Sequence, residues 1–142
     1  MNGETHDWWG ASDRKWNLLV QQIVPEHPDL AIHAEALSEL DHTARAAVEW
    51  IVTMREGLRL LERDDQGVLH VPYEHLCANP RGWACKLEDY LGLERDKVFE
   101  DYAARTLSDP AREITLNLPD WLRTIFDETE LARAGAAERC AL

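Results

Sequence analysis

Positive charge is scarce in this sequence: fifteen Lys and Arg stand against 27 Asp and Glu, for a formal net charge of −12. The imbalance is steepest in the first 80 residues, with 6 basic against 14 acidic side chains. Such a surface repels phosphate backbones, which argues against nucleic-acid binding, where Lys and Arg on phosphate supply most of the affinity. Long apolar runs are lacking too. The first twenty residues carry Glu4, His6, Asp7, Asp13, Arg14 and Lys15 where a secretory signal would place an apolar core, so neither a signal nor a membrane span is expected. Cysteine is sparse. Cys77, Cys85 and Cys140 are odd in number and have no paired ligand spacing, so neither a disulfide framework nor a metal site is expected. These absences suit a cytoplasmic chain with reduced, buried thiols. No internal repeat or low-complexity tract occurs.

What the chain does have is helical patterning. With 142 residues and 45% hydrophobic content, it can form one domain with its own core. Residues 1–11 read as a loop. Ser12 is then the expected N-cap of a helix with Asp13 in its first turn and Trp16, Leu19, Val20 and Ile23 on one face, closed by Pro25 and Pro28. Residues 41–63 place Ala47, Trp50, Ile51, Met54, Leu58 and Leu61 at helical spacing. Gly57 within that run suggests a kink or close packing.

Asp64-Asp65-Gln66-Gly67 reads as a turn, and Val68, Leu69, Val71 and Tyr73 as a strand buried on both faces, with Pro72 unable to donate to a ladder. Asn79-Pro80 then caps a helix carrying Trp83, Leu87, Tyr90 and Leu91 and stopped by Gly92. A further helix offers Val98, Phe99 and Tyr102 as core positions. Residues 113–118, with Ile114, Leu116 and Leu118 alternating, suggest a second short strand. Pro119 opens a last helix with Trp121, Leu122, Ile125 and Phe126, and the Ala-rich stretch 132–142 reads as its frayed end. The six histidines are scattered without a paired acid or nucleophile at an instructive spacing, so no catalytic residue is assigned.

The stretch "VPYEHLCANPRGWACKLEDYLGL" resembles the strand, Tyr-Glu-x-Leu, Asp/Asn-Pro, helix, Tyr/Phe-Leu-Gly-Leu signature in the C-terminal half of sulfotransferases that use 3'-phosphoadenosine-5'-phosphosulfate (PAPS). "WWGASDRKW" is similar to a segment upstream of that signature in some bacterial members. The resemblance implies a fold that is mainly α with one or two short strands, the incomplete C-terminal part of an α/β P-loop-like domain whose parallel sheet is flanked by helices. It implies PAPS as sulfuryl donor and a hydroxylated acceptor. It also places Tyr73 beside the adenine, and Thr106 or Ser108 at the nucleotide.

The departures from that family are as informative. No Gly-rich turn with a Lys and a Ser/Thr occurs within these residues, so the family's phosphosulfate loop has no counterpart. The Arg and Ser that grip the 3'-phosphate are missing, and the usual Arg before the Tyr is Pro72. Sulfuryl transfer builds negative charge on a leaving phosphate, which cations must meet. The expectation is therefore half of a sulfotransferase domain, inactive alone, whose orphan strand needs an N-terminal sulfotransferase half or self-association to complete its sheet. The alternative is a noncatalytic helical binding or scaffold protein derived from that family.

Overall fold

The computed structural model describes residues 9–63, 67–107 and 115–140. Among them run α1 (Arg14–Leu18), α2 (Pro28–Ala31), α3 (Ala34–Leu37), α4 (His42–Glu62), α5 (Tyr73–Ala78), α6 (Pro80–Leu91), α7 (Lys97–Thr106) and α8 (Asp120–Cys140). The described residues are mainly helical and contain no strand.

Local chemistry explains the long helices. The Asp41 carboxylate accepts the Ala44 N–H at 2.8 Å and fixes the start of α4. Asn79 does the same for α6 through the Gly82 N–H, with Pro80 in the first turn and Gly92 ending the helix at φ 66°. Asp96 caps α7 through the Val98 N–H. Gly57 neither kinks nor ends the helix: α4 runs unbroken past it.

One core holds the body together. Trp9 and Trp16 meet edge to face at 5.5 Å, and with Leu19, Val24, Leu30 and Leu37 they pack against Val48 and Ile51 of α4 and Leu122 and Ile125 of α8. Trp50 of α4 lies 4.6 Å from Phe126 of α8, ring to ring. Arg55 joins three elements: its guanidinium grips both oxygens of Asp29 at 2.9 and 2.7 Å and donates to the Thr129 hydroxyl at 3.3 Å. Arg45 pairs with Asp13 at 3.0 Å and lies over the Trp16 ring.

Several sequence expectations are corrected. Ser12 does not cap the first helix: Ser12 and Asp13 both take left-handed backbone angles (φ 55° and 54°), the helix begins at Arg14, and the Asp13 carboxylate serves Arg45 instead. Ile23 is exposed and Val24 buried, because a π-helical turn over Leu19–Ile23 rotates the following residue into the core. The expected strand is absent: Val68–Pro72 is irregular and Tyr73 begins α5. A strand needs a ladder partner, and Pro72, lacking an N–H, suits the lead into a helix instead.

The expected core face of α7 is open, with Val98 at 74% and Tyr102 at 58% exposure; Phe99 is exposed as well, and Ala103 is the buried residue there. Tyr90 and Leu91 are likewise exposed, while Trp83 and Glu88 are buried on α6. Ile114 lies outside the described residues, and Thr115–Pro119 forms no strand. The stretch from Ala132 continues α8 as far as Cys140, with Ala136 and Ala137 buried.

Candidate functional site

A cavity of about 1020 Å³ opens between α4, α8 and the Val68–Glu74 segment. Trp50, Met54, Leu58 and Leu61 of α4 form one wall, and Val68, Val71 and Pro72 form the opposite one. Leu116 and Phe126 close the base. The α4 wall follows from helical spacing, because residues 50, 54, 58 and 61 fall on one stripe while Val48 and Ile51 point to the core. Gly57 also lines the space, and a Cβ placed there would meet nothing within 4 Å.

The polar rim is neutralised internally. Arg133 of α8 holds both carboxylate oxygens of Glu74 at 3.2 Å and both of Glu130 at 2.8 and 2.7 Å. These two carboxylates raise the Arg133 pKa, and the Glu74 pKa is lowered first by its own backbone N–H and then by Arg133. Arg123 donates to the Leu116 carbonyl. His70 lines the same cavity, and burial pushes its pKa down, helped by Arg133 and His75. The Glu74–Arg133–Glu130 group clamps the start of α5 to α8.

The three residues expected at a nucleotide fall apart in position. Tyr73 lines the cavity and is 55% exposed, with a hydrogen bond to the Cys77 side chain that raises its pKa. Thr106 is the exposed last residue of α7 and does not line the cavity. Ser108 lies outside the described residues. Sequence reasoning missed Arg133 and Glu74 as a pair, since 59 residues separate them.

Cys85, Glu88 and Glu100 bring ligand-type atoms within 4.8 Å of one another. Both oxygens of buried Glu88 are engaged, however, one by Arg95 and the other by the Asp96 N–H. The grouping braces the turn between α6 and α7. Cys77 is buried and Cys85 half-buried, both as free thiols. No described helix is long and apolar enough to cross a membrane.

The cavity can therefore accept apolar surface more readily than a polyanion. A phosphosulfate entering it would meet two guanidinium groups already engaged and two carboxylates, at a desolvation cost that nothing there offsets. No protein family, no curated protein and no solved structure matches this chain.

Proposed function

We propose that this chain contributes the C-terminal half of a PAPS-dependent sulfotransferase domain, which moves a sulfuryl group to a hydroxyl acceptor once another stretch of polypeptide completes it. Alone it is inactive. The observation that carries this reading is the apolar cavity of about 1020 Å³ between α4, α8 and the ladderless Val68–Pro72 segment. The α4 stripe of Trp50, Met54, Leu58 and Leu61 faces the cavity rather than a packed layer, with Val68, Val71 and Pro72 across from it. Support also comes from the sequence order Tyr73-Glu74, capped Asn79-Pro80, α6 and left-handed Gly92, which follows the resembling signature apart from its strand.

The residues present do not fit the donor by themselves. Arg123 and Arg133 are engaged, so the cations and base for the reaction belong to the completing polypeptide. This chain would offer the exposed Tyr73 ring to the adenine, with Thr106 and Ser108 as further nucleotide contacts.

A sulfate-transfer assay with PAPS tests the reading, run with and without a polypeptide encoding a strand, a Lys-bearing phosphate loop and an Arg/Ser pair. Transfer only in the mixture, with nucleotide affinity falling several-fold in Tyr73→Ala, is the expected result. A folded mixture without transfer would return the chain to the second reading, a noncatalytic helical binding protein. The exposed apolar side chains of α7 favour that alternative.

A further inference from the structure

Gly57 has no explanation in the folding of α4. It falls on the cavity-facing stripe of that helix between Met54 and Leu61, at i+3 and i+4 spacing. Glycine weakens a helix interior relative to alanine, and it is at home where the backbone turns left-handed or another segment presses close. Neither holds here. Gly57 has no positive φ, and a Cβ built on it would meet nothing within 4 Å. What the missing side chain leaves is room in the cavity of about 1020 Å³, at the top of the range of about 300–1,000 Å³ usual for small-molecule sites.

We propose that this cavity is a binding site for a neutral, largely aromatic small molecule, seated on Gly57 between the α4 stripe and the Val68–Pro72 segment. The walls favour an aromatic occupant. Trp50 and Phe126 present two rings 4.6 Å apart, and Met54 adds a polarizable thioether that packs well against aromatic edges. Charge favours a neutral one. Glu74, Glu130, Arg123 and Arg133 line the cavity and sum to zero, and His70 adds no charge at neutral pH because burial lowers its pKa. An anion would have to draw Arg133 away from two carboxylates and approach a chain of net charge −12. A cation would have to break the same cluster from its other side.

A polypeptide can roof this space but is poorly suited to fill it. A peptide backbone drawn between the apolar walls would strand N–H and C=O groups beside side chains already engaged. The site does not depend on the sulfotransferase reading, in which the completing polypeptide pairs along Val68–Val71, and failure of the transfer assay leaves the site standing.

Fluorescence titration of the full chain with two matched probes tests it: N-phenylnaphthylamine, which is neutral, and anilinonaphthalene sulfonate, the same rings carrying a sulfonate. The neutral probe is expected to saturate at one per chain and to raise the melting temperature, while the sulfonate binds about tenfold more weakly or worse. Gly57→Leu fills the space from its floor, and Val71→Glu puts a charge on the opposite wall. Each should weaken the neutral probe about tenfold or more with unchanged helical circular dichroism. Leu131→Glu, in the separate hollow beside α8, should leave binding unchanged, and Gly57→Ala should melt no lower than the wild type. Equal affinity for both probes, or uptake without saturation, would overturn the proposal. So would full binding to Gly57→Leu, loss of binding in Leu131→Glu, or a lower melt in Gly57→Ala, which would return that glycine to the fold. Displacement of the neutral probe by the completing polypeptide would give the space to that chain and equally overturn the small-molecule site.

Discussion

The α4–α8 pair and the α6–α7 hairpin are made of similar parts, amphipathic helices started by side-chain caps or proline, yet they arrive at opposite surfaces. Between α4 and α8 lie Val48, Ile51 and Leu122, all at 0% exposure, with Arg55 bridging to Asp29 and Thr129. Between α6 and α7 the buried set is small: Trp83, Ala84, Glu88 and Ala103. No residue of 67–107 belongs to the main core cluster. Amphipathic patterning thus ensures that a helix has an apolar face without ensuring that the same chain covers it. The outer stripe of α4 makes the same point within the body itself, because it lines a cavity.

The sharpest way to widen this contrast is truncation. Ile51→Ala or Leu122→Ala should destabilise the body by about 2–5 kcal/mol, whereas Leu91→Ala at the hairpin's closed end should change stability by less than about 0.5 kcal/mol. Urea denaturation of the three variants measures this. Comparable losses at all three positions would mean that the hairpin face is packed in solution.

Capping gives a smaller and more even comparison. Asp41→Ala and Asn79→Ala each remove one helix-capping acceptor, at a typical cost of about 1 kcal/mol to the helix concerned. In the body that loss should appear in global stability. In the hairpin it should appear as local opening of α6, read by hydrogen exchange, with little change in the global melt.

Acid separates the regions by pH rather than by size. His27, buried in the body, has its pKa lowered from 6.5 by burial and then by Arg55 and Arg59. The unfolded chain therefore takes that proton first, so this contribution is complete above pH 6.5 and is lost as pH falls below it. Glu74 has the opposite chemistry and a lower window. Its folded pKa lies below 4.5, so the clamp's contribution is intact above that value and disappears as pH falls through the folded one. His27→Gln should flatten the stability profile just below pH 6.5, and Glu74→Gln only the more acidic limb. The smallest effect is expected at Tyr73→Ala, which should leave the melt of the isolated chain unchanged because that ring is exposed.

Much of the helical skeleton was legible in the residues. Asn79-Pro80 and Gly92 marked the ends of α6 correctly because capping and left-handed glycine are local chemistry. The strand at Val68–Tyr73 misled for the complementary reason. A run apolar on both faces shows that a segment can pair, while pairing itself requires a neighbour absent from the described residues. Val98, Phe99 and Tyr102 had core spacing and no core to enter. Arg133 and Glu74 escaped notice because their pairing depends on the packing of α5 against α8. Of the residues singled out in the sequence, Tyr73 lines the cavity; the cavity itself and its neutralised rim were not legible there.

Hydrogen exchange followed peptide by peptide on the isolated chain tests most directly whether a closed body carries an open, uncompleted edge. The expected result is slow exchange in the middle of α4 and α8, governed by global unfolding, together with rapid exchange at Val68, Leu69 and Val71 and intermediate exchange in α7. Protection of Val68–Val71 equal to that of α4 would show that those amides are paired in this chain by itself, and the cavity beside them would lose its meaning as the place for another polypeptide.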